Sequence, residues 1–558
     1  MEFAEFIKIP MVDNVTLAKP GLARVVGTLC ITGHHLIFSS RMRESEELML
    51  LHGNVESVYS KVSGQEAVLT IGCKNFDYFQ LIFPFLEDAQ KVQASVEPLS
   101  IVETLTVTYP FFYQPTSAES KMDNGWDLFN MDTYFMKMFQ KTENWRLSSA
   151  NNSYKLCPTY PQVVIVPRKI TDDVLKKSAA FRQHGRFPVL CYFHSAKKSC
   201  LLRSSQPGCG ITTKRCKEDE KILNETLSSA SKGLIFDTRN TASIYNSRSK
   251  GFGIEADSNY SLWKKAYGNL TRHKEFTDMF RKYVEACMDS ESSTSTWLSK
   301  LESSGWLRQL HLIINAGNVV ASSIQKGSTV LVHGGSGKDT TLIVSSFAQV
   351  LLDPQCRTVL GFESLIAREW LAAGHPFRER CIKLGTSNMR YKGQAPTFLM
   401  FLDAVYQVMQ QYQCSFEFND KFLQTLFENA YSSNYGTFLG DCDYDRDKHG
   451  VRKNTVSLWN HLNQPDVLKP MLNPVYELNT AVLGPSSALQ TLTVWSGIFL
   501  RGQVDPRVES EIWDEVRKIQ SENKELKTQA LALRRQYVEL QAKVRTKLKM
   551  DRPPDASP

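Results

Sequence analysis

A glycine-rich stretch at residues 329–341 constrains the fold of this chain more than any other segment. It reads Thr-Val-Leu-Val-His-Gly-Gly-Ser-Gly-Lys-Asp-Thr-Thr, and an apolar run at 342–352 follows it. The β-branched residues favour a strand, and the apolar run has the length of a helix. Strand, tight glycine loop and helix N-terminus form an arrangement that binds phosphate through backbone N–H groups and the helix dipole. The segment predicts an α/β unit and leaves three roles open for the loop: chemistry, anion binding or a simple turn.

The first 110 residues are predicted to form a β-rich module. Short apolar runs at 27–32, 36–39, 48–51, 67–71 and 77–83 are separated by turn signals, as in a sandwich or small barrel. Residues 86–99 then carry apolar side chains at helical spacing. Strands closed by one helix are typical of pleckstrin-homology-like modules, and a generic β-domain is the alternative.

An aromatic and proline-rich connector, residues 111–122, leads into a large domain at 123–505. Strand-like runs at 163–166, 187–193 and 233–237 alternate with helical stretches at 171–181 and 217–230. Further helices are expected at 361–372, 397–412 and 419–431, beyond the glycine loop. This alternation predicts an α/β domain built around a central sheet.

Residues 508–550 have a different pattern, a heptad repeat with charged residues between the apolar positions. The expected seam consists of Ile512, Val516, Ile519, Asn523, Leu526, Ala530, Leu533, Tyr537, Leu540 and Val544. Spacings of four and three residues predict a dimerising coiled coil, and a lone Asn at an a position can favour two strands. The alternative is an amphipathic helix that folds back on the domain. The tail at 551–558 is expected to be disordered.

Charge, cysteine spacing and the length of the apolar runs limit the classes of protein to which this chain can belong. The 558 residues carry a net charge of +8, and no dense basic tract with interleaved aromatics indicates nucleic-acid binding. Twelve cysteines form no CxxC pair and no zinc-type spacing, so neither a metal nor another cofactor is expected. The first residues do not resemble a signal peptide and no apolar run is long enough for a membrane span. We expect a cytoplasmic protein with peripheral membrane contact at most.

Many separated segments of the chain resemble the myotubularin family, and they occur in one order over nearly the whole length. They are residues 186–190, 205–207, 215–221, 235–239, 250–253, 297–302, 306–307, 357–358, 361–363, 369–371, 374–377, 401–403, 416–419 and 435–439. The resemblance implies a PH-GRAM module, a cysteine-dependent-phosphatase-like domain of the phosphoinositide 3-phosphatase type, and a C-terminal coiled coil. These fall where the β-module, the α/β domain and the heptad seam are predicted.

The resemblance also supplies a sequence pattern of active family members with which the glycine loop can be compared. Active members carry His-Cys-Ser-Asp-Gly-Trp-Asp-Arg-Thr, in which the Cys thiolate attacks phosphorus and the Arg holds the phosphate oxygens. This chain matches at His333, Gly337, Asp339 and Thr341. It departs from the pattern at Gly334 (Cys), Gly335 (Ser), Ser336 (Asp), Lys338 (Trp) and Thr340 (Arg).

These departures predict that the loop does not catalyse phosphate release. Glycine has no side chain to form a phospho-enzyme intermediate, and the loss of Arg removes a bidentate donor for the phosphoryl oxygens. Ser336 would need a base, and His333, the nearby candidate, is expected to have a structural role. Asp339 matches the position of a catalytic acid, but an acid without a nucleophile cannot complete the reaction. Lys338 could still attract an anion. A nucleotide P-loop is excluded because Val332 and Asp339 break its pattern.

Three functions follow as hypotheses. In the first, an inactive pseudophosphatase pairs through the seam with active myotubularin-related phosphatases and regulates their activity, stability and location; self-association is a variant. In the second, residues 1–110 bind phosphoinositide membranes without a phosphatase partner. Basic residues available for this are Lys8, Lys19, Arg24, Arg41, Arg43, Lys61, Lys74 and Lys91, and ordinary solvated surface is their alternative role. The third is a hydrolase with an unrecognised nucleophile.

Overall fold

The fold is taken from a computed structural model, which describes residues 3–19, 23–40, 47–63, 66–101, 104–119, 125–139, 144–227, 232–289, 292–381, 393–501 and 506–550. The chain forms two compact units. One contains residues 1–473 and 477–503, and the other contains residues 474–476 and 504–558. Arg41, Arg43 and the 551–558 tail lie outside the described residues.

The first unit begins with a seven-stranded antiparallel sheet. Its strands are Met11–Ala18 (β1), Val25–Ile31 (β2), His35–Ser40 (β3), Leu48–Leu51 (β4), Val55–Ser63 (β5), Glu66–Cys73 (β6) and Tyr78–Phe83 (β7), in the order β4-β3-β2-β1-β7-β6-β5. Helix Leu86–Leu99 (α1) packs Ala89, Val92 and Val96 into the apolar core of this sheet. The predicted β-rich module with a closing helix is confirmed. Strands β1 and β5 were not predicted, because their apolar residues are interrupted by polar ones.

The second part of this unit is the large α/β domain. Its strands are Trp145–Ser148 (β8), Val164–Pro167 (β9), Val189–His194 (β10), Ser199–Ser204 (β11), Gly233–Arg239 (β12), Trp263–Leu270 (β13) and Val330–His333 (β14). Five of them form a sheet in the order β10-β11-β14-β12-β13, in which β14 is central and parallel to both neighbours. Strands β8 and β9 pair separately.

Helices cover both faces and the end of this sheet. They are Met131–Phe139 (α2), Asp172–Phe181 (α3), Lys217–Asn224 (α4), Thr241–Arg248 (α5), His273–Cys287 (α6), Thr294–Ser304 (α7), Trp306–Gln325 (α8), Thr340–Leu352 (α9), Val359–Ile366 (α10), Phe377–Cys381 (α11), Thr397–Gln411 (α12), Asp420–Tyr431 (α13), Asp443–Lys448 (α14), Val451–Asn454 (α15), Leu458–Leu462 (α16), Pro465–Leu468 (α17) and Ser496–Phe499 (α18).

Most of the predicted helices are present, with two differences. Helix α4 ends at Asn224, so the extension to residue 230 is wrong for residues 225–227, which form a turn. The rest of that prediction lies outside the described residues. The helix predicted at 361–372 starts earlier and continues from α10 as a π-helical turn at Ala367–Leu371.

Helix α9, directly behind the glycine loop, is buried on all sides. Every side chain from Thr341 to Leu352 is buried, because α8 and α12 pack against it. A helix that is apolar all round belongs in the core of a large domain. This burial fixes the position of the loop at its N-terminus.

Phe76, between β6 and β7, joins the β-module to the α/β domain. Its ring packs on Phe427, Phe280 and Phe499 with centroid distances of 5.6, 5.2 and 6.1 Å. The backbone of Phe76 has φ +70°, in the left-handed region that a bulky residue rarely adopts. The predicted connector contacts the α/β domain, since its Tyr113 packs on Tyr435, and Tyr109 just before it packs on His35 of the β-module.

The second unit contains one helix, Pro506–Met550 (α19), of 45 residues. It spans all ten predicted seam positions without interruption.

Candidate functional site

The glycine-rich loop lies at the carboxyl edge of the five-stranded sheet. His333 ends β14 and Thr340 begins α9, so residues 334–339 make the whole connection. In the parallel register, Ser204 of β11 and Asp237 of β12 both pair with His333. Sheets of this kind bind ligands at the carboxyl ends of their strands. The predicted order of strand, loop and helix is confirmed.

The peptide groups of the loop are oriented by donors from outside it. Gly335 O accepts from the Gln206 N–H at 3.0 Å, Gly337 O from Arg186 Nη2 at 2.8 Å, and Lys338 O from His375 Nδ1 at 2.8 Å. Because a trans peptide holds C=O and N–H on opposite sides, the amides of Ser336, Lys338 and Asp339 point away from these donors. Within the described residues, the amides of 335–339 meet no acceptor. This geometry leaves these N–H groups without a protein acceptor in the described residues.

Three threonine hydroxyls surround Gly334. A Cβ atom at this position would lie 2.6 Å from Thr238 Oγ1, 3.1 Å from Thr341 Oγ1 and 3.3 Å from Thr340 Oγ1. Thr238 and Thr340 are themselves hydrogen-bonded at 2.8 Å. Contacts under 3.0 Å are essentially never made by a Cβ, so any side chain at 334 requires Thr238 to move. The space beside Gly334 is filled by hydroxyl groups.

Gly337 satisfies a backbone requirement of the turn. Its φ of +73° lies in the left-handed region, and a Cβ there would meet Ser204 O at 2.6 Å. Only glycine adopts this conformation at no steric cost. The glycine that matches the family pattern therefore holds the loop against β11.

His333 belongs to a buried ion-pair network beneath the loop. Its Nε2 donates to Glu255 at 3.0 Å, and Glu255 also accepts from Arg182 at 2.7 Å. Arg182 makes a two-point contact with Asp219, which further accepts from Tyr260. Burial alone would raise the pKa of Glu255, but His333 and Arg182 outweigh it and hold the pKa well below its usual range. The Nε2 hydrogen bond of the His333 imidazole is therefore taken by the Glu255 carboxylate, which Arg182 holds in place.

Asp339 is held in a second buried cluster on the other side of the loop. Its carboxylate accepts from Arg380 at 2.9 and 3.1 Å, and His273 lies 3.4 Å away. Burial would raise the pKa of Asp339, but Arg380 and His273 together hold it well below the ordinary value. His375 stays neutral, since burial lowers its pKa to about 4. Asp339 therefore remains ionised at neutral pH and has no proton to donate as a general acid.

The two other polar residues of the loop, Ser336 and Lys338, are half-buried. Both ring nitrogens of His333 contact Glu255 or the backbone, so the structure does not pair the Ser336 hydroxyl with that base. Burial and the nearby Arg186 lower the pKa of Lys338. Within the described ranges, the Lys338 ammonium makes no hydrogen bond or ion pair, which leaves it available to an anion at the loop.

The basic residues proposed for membrane contact differ in their exposure. Lys74 is only 7% exposed and donates to Gly53 O, so its expected place on the surface is wrong. Lys91 pairs with Glu87 on α1. Lys8, Arg24 and Lys61 are exposed, and Lys19 is half-buried.

Helix α19 exposes the described part of its seam. Ile519, Leu526, Leu533, Tyr537 and Leu540 are 54–65% exposed, and Asn523 and Ala530 are exposed too. The side chains of Ile512, Val516 and Val544 lie outside the description. Leu531 and Val538, at heptad b positions away from the seam, are 58% and 57% exposed. The helix therefore carries an apolar row that its own unit leaves uncovered.

The described ranges contain neither a membrane-spanning helix nor a metal-binding cluster. Among their helices, none combines the length and hydropathy needed to cross a bilayer. No three His, Cys, Asp or Glu side chains in those ranges are arranged to hold a metal ion.

Comparison with known families identifies the α/β domain. Residues 108–447, more than half of the chain, match the model of the myotubularin-like phosphatase domain. The chain belongs to the myotubularin family. Residues 8–100 match the model described as "MTMR6-9, GRAM domain", which covers the seven-stranded sheet and α1. The layout expected from the resemblance is confirmed for these two domains.

Full-length relatives support the same assignment. Myotubularin-related protein 9 of Homo sapiens is 43% identical over 542 residues, which cover 97% of this chain and 98% of the relative. The Caenorhabditis elegans protein of the same name is 38% identical over 98% of this chain and 99% of its own length. Human phosphatidylinositol-3-phosphate phosphatase MTMR7 is 32% identical, over 94% and 80%. The likeness to myotubularin-related protein 9 that the sequence indicated is thus confirmed.

Sequence reasoning missed the residues that shape the loop from outside. Thr238 and His375 lie in segments that carried the family resemblance, 235–239 and 374–377, but nothing in those segments indicates contact with the loop. Arg182, Glu255 and Arg380 gave no signal, because an isolated charged residue in a sequence is most often on the surface.

Proposed function

We propose that this chain is a catalytically inactive member of the family that pairs with active myotubularin-related phosphatases and regulates their activity, stability and location. The observation that carries the proposal is the environment of Gly334. The position that would hold the nucleophile has no side chain, and Thr238 occupies the space that one would need.

The chemistry of the surrounding residues supports inactivity. Covalent phosphoryl transfer needs an activated nucleophile, and Ser336 has no hydrogen-bonded base in the described structure. Thr340 donates one hydroxyl proton at most, and its hydroxyl is paired with Thr238. An Arg at this position would donate two parallel hydrogen bonds to the transferring phosphoryl group. Such a pair of donors stabilises the transition state more than the single hydroxyl of Thr340 does.

The pairing part of the proposal is supported by α19. Large apolar side chains spaced by four and three residues stay exposed along this helix, as expected for a seam that a partner helix covers. A partner that binds only the folded state stabilises it by mass action, so pairing would raise the amount of folded phosphatase. Peripheral association with endomembranes would then follow from the GRAM domain of either partner.

Inactivity is tested by phosphate release from phosphatidylinositol 3-phosphate. The purified chain and an active relative such as MTMR7 are assayed side by side in the same vesicles. We expect release at the background rate from the chain alone. Turnover near the rate of the active relative would contradict the proposal.

Pairing is tested by deletion of residues 508–550 and co-expression with an active relative. We expect the full chain to co-purify with the relative and to change its specific activity, and the deletion to abolish both effects. The deleted chain should keep its thermal unfolding transition, which shows that the first unit is intact. Undiminished co-purification after the deletion would refute the role of the seam.

Retained anion binding is a second candidate function, which the loop N–H groups without a protein acceptor and Lys338 favour. It would let the chain act as a phosphoinositide-binding adaptor without a phosphatase partner. Vesicles with and without phosphatidylinositol 3-phosphate are compared for the full chain, Lys338→Gln and a fragment of residues 1–110. Binding lost in Lys338→Gln assigns the lipid to the loop, and binding retained by the fragment assigns it to the GRAM domain. Equal binding to both vesicles excludes both assignments.

A further inference from the structure

The described part of the α19 seam contains two a positions of extreme size, Ala530 and Tyr537. They are successive a positions, with the d layer of Leu533 between them, and Asn523 is the a position before them. The side chains of all four residues are exposed within their own unit. A very small and a very large side chain in neighbouring a layers restrict which helix can cover this row.

A parallel pair of two copies in register would place each of these side chains against itself, because a positions then face a positions. Two alanines leave a gap in their layer, and the atoms around the gap lose van der Waals contacts. Two tyrosines overfill their layer, since each ring is larger than the Val at a positions 516 and 544. Asn523 is the exception, because its amide would pair with the same amide of the other copy.

An antiparallel pair of two copies meets a different obstacle. In that arrangement a positions face d positions, and all five d positions of the seam are Ile or Leu. Asn523 would then be buried against an aliphatic side chain with no hydrogen-bond partner, which is unfavourable. The e positions would also face each other, and Lys527 and Arg534 at these positions carry the same charge.

The charged residues beside the seam favour self-pairing at one place only. In a parallel pair each e position faces a g position, so Lys527 would meet Glu522 of a second copy, whereas Arg534 would meet the uncharged Gln529. Glu522, Lys527 and Arg534 are exposed, and none of them forms an ion pair in the described part of the chain. An exposed ion pair contributes much less than a filled apolar layer, so the two a layers decide the partner.

We propose that α19 pairs in parallel with a helix different from itself. The partner helix carries a large aliphatic side chain opposite Ala530, a small side chain opposite Tyr537 and an Asn opposite Asn523. It also carries an acidic residue at the g position that faces Arg534. The inference rests on the proposed pairing through the seam and specifies which helix the seam accepts, with a second copy of this chain disfavoured.

The first test measures self-association of the full chain by sedimentation velocity. Ala530→Leu with Tyr537→Leu fills the gap and removes the overfilled layer, so that two copies become complementary. We expect this double variant to self-associate at least about 100-fold more tightly than the unsubstituted chain, roughly tenfold for each repaired layer. Ala532→Leu with Val538→Leu places apolar substitutions at exposed positions off the seam and should leave self-association unchanged.

A second pair of substitutions shows whether the gained association uses the seam. Leu526→Glu with Leu533→Glu, added to the double variant, should remove the gain because it places charges in the interface. A double variant that self-associates no more tightly than the unsubstituted chain would overturn the proposal. The same holds if the unsubstituted chain already self-associates as tightly and loses this association with the two glutamates.

The second test measures co-purification with human MTMR7 from co-expression. The double variant should pair about tenfold more weakly, because its two new layers no longer complement the other helix. Arg534→Glu should weaken pairing by about threefold to tenfold at low salt and by less at high salt. Arg535→Glu makes the same change at an exposed f position away from the seam and should have no effect. Equal losses from the two Arg variants would contradict the proposed acidic partner residue.

The two tests separate this inference from the proposed function. If MTMR7 does not pair with the unsubstituted chain, the proposed pairing fails, and sedimentation still decides whether the seam rejects a second copy. Seam-dependent self-association of the unsubstituted chain would overturn this inference alone. Every substitution lies at an exposed position of α19, so the thermal unfolding transition of the first unit should stay unchanged in each variant.

Discussion

The side chains around the glycine loop are bonded to groups of their own domain, whereas the apolar side chains of helix α19 are exposed. Around the loop, Glu255 and His333 are fully buried, and each is bonded to a group of the same domain. On α19, Leu526 and Leu533 are 61% and 65% exposed. Interaction capacity that is satisfied inside a domain stabilises that domain, whereas exposed apolar surface is stabilised only when something else covers it. The buried partners around the loop therefore stabilise their own domain, whereas the exposed apolar row of α19 has no cover within its own unit.

Hydrogen bonds from outside the loop also explain how it holds its shape. The outward carbonyls of Gly335 and Gly337 are held by Gln206 and Arg186, which are not the residues that the family pattern assigns to chemistry. These bonds do not depend on the side chain at position 334. The shape of this loop and the chemistry of its side chains are therefore physically separable.

The largest effect is expected from breaking the buried network. Arg182→Met leaves Asp219 and Glu255 without their shared guanidinium and should lower the free energy of unfolding by about 3–5 kcal/mol. Arg281→Met removes a partly exposed pair with Asp278 and should cost no more than about 1 kcal/mol. Urea unfolding of both variants measures the difference. Equal values would show that the network does not stabilise the domain.

The seam should respond in the opposite way, with loss of pairing and no loss of folding. Leu526→Glu with Leu533→Glu places charges in the partner interface and should weaken co-purification of an active relative by about 100-fold or more. The thermal unfolding of the first unit should not change. Leu531→Glu with Val538→Glu is the matched control, because these side chains are equally exposed but off the seam. Equal losses from both pairs would exclude the assigned register.

The packing around Gly334 is tested by adding one methyl group. Gly334→Ala forces Thr238 to move and should cost about 1–3 kcal/mol by overpacking. Gly335→Ala meets nothing within 4 Å and should be neutral or stabilising by up to about 1 kcal/mol. Thr238→Ala should relieve Gly334→Ala, so that the double variant shows a coupling of about 0.5–3 kcal/mol. For the same reason, Gly334→Cys alone should not restore phosphatase activity.

The last effect is a dependence of the free energy of unfolding on pH, and it arises from Glu363 in α10. Burial raises the pKa of this carboxyl to about 8, although Asn463 donates to it. The folded chain then holds a proton that the unfolded chain releases above its ordinary pKa near 4.5. The stability that protonated Glu363 contributes is complete below that pH and is lost as pH rises to about 8, by up to about 1.4 kcal/mol per unit. Glu363→Gln should flatten the measured profile, and an unchanged slope would exclude this assignment.

Several elements were predictable because their sequences match one local rule. The apolar run at 342–352 predicted α9, and the β-branched residues before the glycines predicted β14. Strand β13 was not predicted, since it lies at the edge of its sheet and carries Lys264, Lys265 and Gly268 among its apolar residues. Edge strands of this composition have no clear alternation, and only the pairing with β12 defines them.

The sequence by itself determined the family, the order of the domains and the heptad spacing of α19, and it contains the glycine and threonine that the resemblance matches to the nucleophile and arginine. Tertiary structure alone decided what surrounds them. Thr238 and Thr340 are 102 residues apart, and parallel strands in register bring their hydroxyls together beside Gly334. Covalent spacing sets which groups a segment contains, whereas contacts between distant segments depend on strand register and burial, which no single segment encodes.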